Sequence, residues 1–540
     1  MTIFAQTNPW AGIAIGEHVN LFAPMIALVC TMLAVVACPI VFGRRTRPVA
    51  TVAILGIIVT FILAVRLART TIQGGVSGFS TEPLAGMLIV DNLSACFQVV
   101  LVVFLAAVTW LWWMGSASTE KNAPEFFILL IGSALGMALM VSTNNLLMIV
   151  MAIETASLPC YAFVGFDKND GRAAEASLKY MIFGAVSLAI MLYGVSLLYG
   201  LTGTLDIGQI AAFSVTEFAV GGNSLLLAIA LLCFLAGIAF KISAVPFHFW
   251  CPDAFEGAKI EVTTWLSVVS KAAGLILLMR VMLAFCAAVS SPHGMSQVAP
   301  MAWTVGIIAA VTCTVGNFSA YRQESVKRML AYSSIAHAGY MMMATAVLLH
   351  PSLPNHQAGV TALLVYIMIY LFMNLGAFGV VAIVSWDTGS DKLDAFTGLI
   401  RRAPWLAVPM IICLLSLVGL PPFAGFIGKW WVLLALGSLD STLGWFLVIV
   451  AVVNTLISLY YYLRIVVRMT VHDDNRGRVE SPLGGLALVN ICAVALFVLF
   501  LWAQPLKEMT DRFTKDLYTS AAAPVASEAA LAADLGQSNR

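Results

Sequence analysis

Of 540 residues, 61% are hydrophobic and only 10% are charged, and the net charge is +1. A soluble domain carries about 25% charged residues, so the charged surface that a soluble protein of this size needs is missing and the chain reads as a polytopic membrane protein. The near-zero net charge leaves no footprint for nucleic acid.

Apolar runs long enough to cross a bilayer are expected at about fourteen places. They cover residues 20–43, 49–67, 87–115, 126–143, 144–165, 175–200, 224–249, 258–288, 301–320, 326–348, 359–386, 403–436, 442–469 and 481–503. The first twenty residues lack a basic stretch and contain Glu17, so no cleavable signal peptide is expected. The expected division is 1–125 for three N-terminal spans, 126–300 and 301–470 for two five-span repeats, and 471–506 for a final span. An amphipathic then Ala-rich tail, frayed, is expected over 507–540.

Basic residues alternate between the loops. Every odd-to-even loop carries them, from Arg44, Arg45 and Arg47 in loop 1–2 through Lys168 and Arg172 in loop 5–6 and Lys392, Arg401 and Arg402 in loop 11–12 to Arg464, Arg468, Arg476 and Arg478 at the 13–14 junction. Loops 4–5, 6–7, 8–9, 10–11 and 12–13 have none. Basic loops face the cytoplasm, which places both termini on the outer, periplasmic side of a bacterial inner membrane.

Four charges fall inside apolar runs: Glu154 in span 5, Lys241 in span 7, Lys271 in span 8 and Lys429 in span 12. A charge at mid-bilayer costs about 2.5–3.5 kcal/mol on insertion scales. Snorkelling from a helix end accounts for Lys179 and Arg280, and Asp91 reads as interfacial. It does not suit Lys241 and Lys429, which follow long apolar stretches, so these two lead the functional candidates.

Spans 7 and 12 also carry helix breakers. Pro246 follows Lys241, and Pro421 with Pro422 precedes Lys429 in "GLPPFAGFIGK". Proline removes a backbone donor, and a broken helix is tolerated in a bilayer only where its backbone faces protein or a wet cavity. Two broken spans five apart point to inverted repeats, spans 4–8 onto 9–13, each with a lysine beside its break. A lysine so placed suits proton transfer, because burial disfavours the ammonium and a nearby carboxylate restores it. Glu154, Lys241, Lys271 and Lys429 then form a relay across the bundle. His337 in "AYSSIAHAGY" is a possible bridge between the repeats and His248 a further possible member; an ordinary packing histidine is the competing reading.

No cofactor is expected. The ten cysteines are single, with no CxxC, and the seven histidines include no HxxxH pair, so iron–sulfur, c-type haem and zinc frameworks find no support. A b-type haem needs paired histidines on facing helices, and only His248 and His337 lie deep enough.

The stretches "FKISAVPFHFWCPDAFEGA", "VTTWLSVVSKAAG", "VKRMLAYSSIAHAGY" and "GLPPFAGFIGKW", in this order, resemble the antiporter-like membrane subunits of respiratory complex I, the proton-translocating NADH–quinone oxidoreductase. "LKYMIFGAVS" and "AYSSIAHAGY" favour the subunit N branch over the L and M branches. The resemblance spans roughly residues 87–470. It implies an all-α, fourteen-helix proton channel without redox centres, working beside adjacent antiporter-like and small membrane subunits and membrane lipid. NADH and quinone are used elsewhere in that complex. The resemblance carries the essential carboxylate onto Glu154 and the essential lysines onto Lys241, Lys271 and Lys429. A cation/proton antiporter or membrane-bound hydrogenase subunit of the same fold is the alternative, and a packing subunit without transport a third reading. One departure stands out: the family's "EGxPTPVT" is "EGAKIEVT" here, with Lys259, Ile260 and Glu261. A mostly hydrated pair of Glu256 and Lys259 is expected there.

Overall fold

The computed structural model describes residues 15–43, 45–73, 87–115, 122–289, 292–349, 357–472 and 477–514, with side chains omitted at 15–18 and 292–298. Helices dominate throughout. The N-terminal group is α1 (Ile15–Phe42), α2 (Thr46–Gln73) and α3 (Asn92–Gly115). The first repeat runs through α4 (Ala123–Val141), α5 (Leu146–Val164), α6 (Gly171–Thr202), α7 (Ile207–Val220), α8 (Ser224–Ile242), α9 (Trp250–Gly257) and α10 (Ile260–Ala287). The second contains α11 (Pro292–Ala320), α12 (Val326–Ala346), α13 (Gln357–Thr388), α14 (Leu399–Arg402), α15 (Pro404–Val418), α16 (Ala424–Gly437) and α17 (Thr442–Thr470). The chain closes with α18 (Leu483–Leu501) and α19 (Ala503–Thr514).

Twelve of these helices are long and apolar enough to cross a membrane. The polar positions Ser333, Ser334 and His337 dilute the hydropathy of α12, and the break divides α15 from α16. With α12 and the α15–α16 pair, the bundle has the fourteen spans read from the sequence. α10 and α13 form its interior, with 94% and 89% of their most apolar windows buried, whereas α1 and α18 are 28% buried and turn most of their surface outward. A helix apolar on all sides belongs in such a core, and Lys271 is carried by the most buried one.

The two repeats are fastened alike. Asn145 caps α5, accepting from the amides of Leu147 and Met148, and Leu146 N donates to Leu205 O at 2.8 Å while Ile207 N donates to Asn144 O at 3.0 Å. Ser325 caps α12, accepting from Arg328 N. There Val326 N donates to Asp391 O at 2.9 Å and Leu393 N to Glu324 O at 2.8 Å. The first clamp joins loops 4–5 and 6–7, the second loops 9–10 and 11–12, so they lie on opposite faces of the bundle. That is the inversion expected from the odd spacing.

Several details depart from the sequence reading. α4 and α11 begin before the boundaries set at 126 and 301, because their polar first turns lie outside the apolar windows. Helix α7, in a stretch read as a loop, is too short to span and buries only Ile207, Ile210, Ala211 and Ser214. Span 7 is α8 plus a turn, and α9 is a separate short helix. The expected tail is helical through Thr514: Leu506, Thr510 and Thr514 are buried, and Asp511 accepts from Thr361 at 2.6 Å. The rest of it, 515–540, lies outside the described residues. Arg66 and Arg69 also stand near the far end of α2, on the face whose loops are otherwise poor in basic groups.

Candidate functional site

Both breaks place a helix C-terminus inside the bundle. α8 is capped by Ser243 and α15 by Gly419, both left-handed, with φ of 66° and 89°. Val245–Pro246 and Pro421–Pro422 are cis. A helix end leaves its last carbonyls without intrahelical partners and carries negative partial charge. In a bilayer the protein itself must satisfy them.

The lysines approach these ends from two directions. Lys241 belongs to the last turn of α8 and is fully buried, and its Nζ donates to Ser157 Oγ on α5 at 3.1 Å. Lys429 stands on α16, past the second break. It turns back to donate to the Val418 carbonyl at 2.8 Å, with its Nζ 4.5 Å from the centre of the Tyr340 ring. Gly419 leaves the room for this, since a Cβ there would come within 2.9 Å of Lys429 Cδ. The coincidence of prolines and lysine in "GLPPFAGFIGK" thus has a local cause: the break frees a carbonyl inside the bundle and the ammonium satisfies it. Side-chain hydroxyls satisfy amides at the two breaks, Thr312 accepting from Val245 N and Ser416 from Gly425 N, each at 3.0 Å.

Lys271 lies midway along α10 and is also fully buried. Its Nζ bonds Ser334 Oγ of α12 and lies 3.5 Å from Cys251 Sγ and 5.5 Å from the centre of the Phe255 ring, both on α9. One turn along α10, Gly274 faces α8: a Cβ there would stand 3.4 Å from Lys241 Cγ. Beyond Ser334, the hydroxyl of the adjacent Ser333 bonds Tyr462 OH of α17. Tyr462 OH is 3.3 Å from His337 Nε2, and His337 Nδ1 is 2.8 Å from Tyr366 OH of α13. Tyr366 packs against Gly428, the residue before Lys429. Hydroxyls and one imidazole thus lie between Lys271 and the helix that holds Lys429, in two hydrogen-bonded pieces: Lys271 with Ser334, whose own hydroxyl donates to the Ala331 carbonyl at 2.6 Å, and Ser333 with Tyr462, His337 and Tyr366.

Glu154 differs from the lysines. It is half-buried, on the α5 face that exposes Met151 and Leu158, and it lies one turn before Ser157. Lys241 is the cation whose charge reaches it, but the two form no direct ion pair. His248 sits buried on the first break, beside Phe249, and its Nδ1 has no hydrogen-bond partner among the described residues. The structure brings His337 into the row and leaves His248 off it. Pro246, Pro421 and Pro422 lie in the breaks as expected.

The sequence reading passed over several contributors. Ser157, Ser334, Cys251, Tyr366 and Tyr462 carry no charge that would mark them in an apolar run; the one available signal was the serine pair three residues before His337. Two assignments change. Arg280 does not snorkel: it is 7% exposed, and its Nη2 donates to both carboxylate oxygens of Asp91, at 2.7 and 2.8 Å. Asp91 is its counter-ion, since a buried cation needs a partner. The expected Glu256–Lys259 pair is not what forms: Glu256 pairs with Arg328 at 2.5 Å, Lys259 Nζ lies 5.1 Å over the Phe166 ring, and Glu261 is 2% exposed rather than hydrated. Packing of α9 against α12 decides this, giving Glu256 a cation from another helix.

Known proteins resemble this chain in sequence and in fold. Residues 143–458 match the family model described as NADH:quinone oxidoreductase/Mrp antiporter, TM. The NADH-quinone oxidoreductase subunit N of Anaeromyxobacter sp. is 36% identical over 508 residues, covering 91% of this chain and 95% of that one. The chloroplastic NAD(P)H-quinone oxidoreductase subunit 2 of Mesostigma viride is 36% identical over 460 residues, covering 85% and 86%. Among solved structures, a chain of respiratory complex I from Thermus thermophilus superposes with a TM-score of 0.71 at 29% identity, over 89% of this chain and 98% of that one. A chain of an archaeal membrane-bound sulfane sulfur reductase shares the fold, with a TM-score of 0.80 at 21% identity over 94% and 99%. This chain, a multi-pass membrane protein, belongs to the NADH:quinone oxidoreductase/Mrp antiporter transmembrane family, within its group of subunit N and subunit 2 proteins.

Proposed function

We propose that the chain is the proton-translocating membrane subunit of a complex I-type NADH–quinone oxidoreductase. Electron transfer from NADH to quinone in other subunits drives protons through Glu154, Lys241, Lys271 and Lys429. The observation that carries the reading is the buried row itself. Among the described residues, Lys241, Lys271 and Lys429 have no carboxylate within ion-pair distance, and the groups that hold each ammonium are neutral: Ser157, Ser334 with Cys251, and the Val418 carbonyl. An amine so held can give up its proton without leaving a carboxylate unpaired, and desolvation makes its proton affinity sensitive to any charge that moves nearby.

In this reading Glu154 is the member nearest the protein surface and sets the charge that Lys241 feels. Lys271 passes its proton through the Ser334, Ser333, Tyr462, His337 and Tyr366 groups towards Lys429. Each hydroxyl and the imidazole accepts one proton and releases another, so the row returns to its starting state after reorienting. The chain sits in a bacterial inner membrane, with its basic loops in the cytoplasm and both termini on the periplasmic side. Adjacent antiporter-like and small membrane subunits cover part of its exposed apolar surface.

The test is the assembled complex purified with Lys241→Ala, reconstituted in liposomes and driven by NADH and quinone. Proton uptake should fall while the subunit composition stays intact. Wild-type uptake would refute the relay, and copurification with subunits of another kind of complex would refute the assignment to an NADH–quinone oxidoreductase.

A further inference from the structure

The short helix α9 has two working faces, and only one belongs to the lysine row. Cys251 and Phe255, four apart, face Lys271. Asp253 and Glu256, three apart, face an ion-pair network formed by other helices. Asp253 accepts from Lys179 of α6 at 3.1 Å and pairs with Arg328 of α12 at 3.0 Å. Glu256 pairs with the same Arg328 guanidinium at 2.5 Å. Lys327, the neighbour of Arg328, donates to the carbonyl of Ala258 just past the end of α9 at 2.9 Å.

Three contacts therefore tie α9 to the first turns of α12. These two helices also supply the partners of Lys271: Cys251 from α9 and Ser334 from α12, whose Sγ and Oγ stand 4.0 Å apart. The space that the ammonium occupies is set by the separation of α9 from α12, and α9 belongs to the first repeat while α12 belongs to the second. We propose that Arg328, with Asp253 and Glu256, is a positioning device that sets the α9–α12 spacing and thereby holds Cys251 and Ser334 around Lys271. The proposal rests on the reading of Lys271 as a proton-transfer residue.

Length and angle favour this role. Arg328 and Ser334 are six residues apart on one rigid helix, and Cys251 and Glu256 are five apart on another. Displacement at one end of either helix is thus carried to the other. The carboxylates are 25% and 34% exposed and Arg328 is 31% exposed. Pairs so exposed contribute modestly to stability, so breaking one should shift a spacing rather than unfold the chain. Both carboxylates meet the same nitrogen, Nη1 of Arg328, so one atom of α12 holds two residues of α9 at fixed distance.

Arg328→Gln, in the whole complex, tests this. The expected results are faster alkylation of Cys251 by a membrane-permeant maleimide, read site by site by mass spectrometry, and proton transport lowered about two- to fivefold, the rate equivalent of a partly exposed ion pair. The quinone KM should not change. Exchanging the charges, Arg328→Glu with Glu256→Arg, should bring both readouts back towards wild type. Should Arg328→Gln fail to assemble, Glu256→Gln removes one pair and serves the same test. Wild-type alkylation of Cys251 in these variants overturns the proposal, and so does wild-type transport. Lys271→Ala separates the two readings. If it transports protons normally, the role of Lys271 falls and the positioning proposal with it. If it abolishes transport while Arg328→Gln changes nothing, only the positioning proposal falls.

Discussion

The two repeats share a scaffold and differ in where they put charge. A shift of 180 positions carries Asn145, the cap of α5, onto Ser325, the cap of α12, and Gly136 and Ala156 onto Gly316 and Ala336. The contact is kept as well: a Cβ on Gly136 would meet Ala156 N at 2.2 Å, and one on Gly316 would meet Ala336 N at 2.6 Å. The same shift carries Glu154 onto Ser334 and Ser157 onto His337. At the breaks, a shift of 176 carries Ser243 onto Gly419 and Val245–Pro246 onto Pro421–Pro422, yet it carries Lys241 onto Leu417 and Asp253 onto Lys429. Backbone devices are thus duplicated and ionisable groups are not. The repeats are alike where helices must be capped, crossed closely or broken, and they diverge where protons would be held.

The divergence has a direction. The first repeat has a carboxylate at Glu154 and a lysine in the turn before its break. The second has a hydroxyl at Ser334, which receives Lys271 from the first repeat, and its lysine stands beyond the break. Ser334 is therefore where a lysine of the first repeat meets the second. The first large test of this asymmetry is Lys429→Ala. The complex should assemble, because the Val418 carbonyl lies at a helix end that water can reach once the side chain is gone. Proton transport in liposomes should fall by about 100-fold or more, the scale of losing a proton-transfer group. Transport near wild type would make Lys429 a cap for the break and nothing more.

Glu154→Gln should have the next largest effect, a loss of about tenfold with assembly intact. The substitution keeps the size of the side chain and removes a carboxylate for which the second repeat has Ser334 at the matching site. Placing a carboxylate at the matching site, Ser334→Asp, should not rescue it, since that group would hold the Lys271 ammonium in an ion pair. Recovery of transport in the double variant would show that the repeats are interchangeable and break the comparison.

Most of the scaffold was legible in the sequence, and the reason lies in which forces act alone. Fourteen apolar runs, two proline breaks and four buried charges each leave a mark at one position, because burying charge or breaking a helix in a bilayer is expensive on its own. Pairings leave no such mark. Asp91 and Arg280 are 189 positions apart, and each alone reads as an interfacial residue; only the packing of α3 against α10 joins them. Glu256 prefers Arg328 to its near neighbour Lys259 for the same reason. α7 went unread because its buried stripe, Ile207, Ile210, Ala211 and Ser214, is too short to span and too mixed to stand out. Ser334 and Tyr462 went unread because hydroxyls are common in membrane helices, where most bond their own backbone.

Tyr462→Phe probes the row that links the repeats. It removes the hydroxyl shared by Ser333 and His337 without leaving a cavity. A proton then has to pass by another route, and transport should fall about three- to tenfold while the amount of assembled complex stays constant. An unchanged rate would show that protons cross between the repeats elsewhere than through His337.

The smallest effect is expected at the departure from the family pattern, "EGAKIEVT". Lys259 is half-buried at the N-terminus of α10, and its ammonium lies over the Phe166 ring at 5.1 Å, outside the line from Lys241 through Lys271 to Lys429. A cation gains nothing from the positive end of a helix, and a ring contact of this kind contributes about 0.5–1 kcal/mol. Lys259→Ala leaves Arg328 with Asp253 and Glu256, and hence the spacing of α9 and α12, as it was. Proton transport should stay within about twofold of wild type, a change of about 0.4 kcal/mol or less, because the ammonium lies off the line of the three buried lysines. Lys271→Ala, measured beside it, should abolish transport. Equal losses in the two variants, with the complex intact in both, would place Lys259 on the proton path and extend that path to the loop where the first repeat meets the basic face of the membrane.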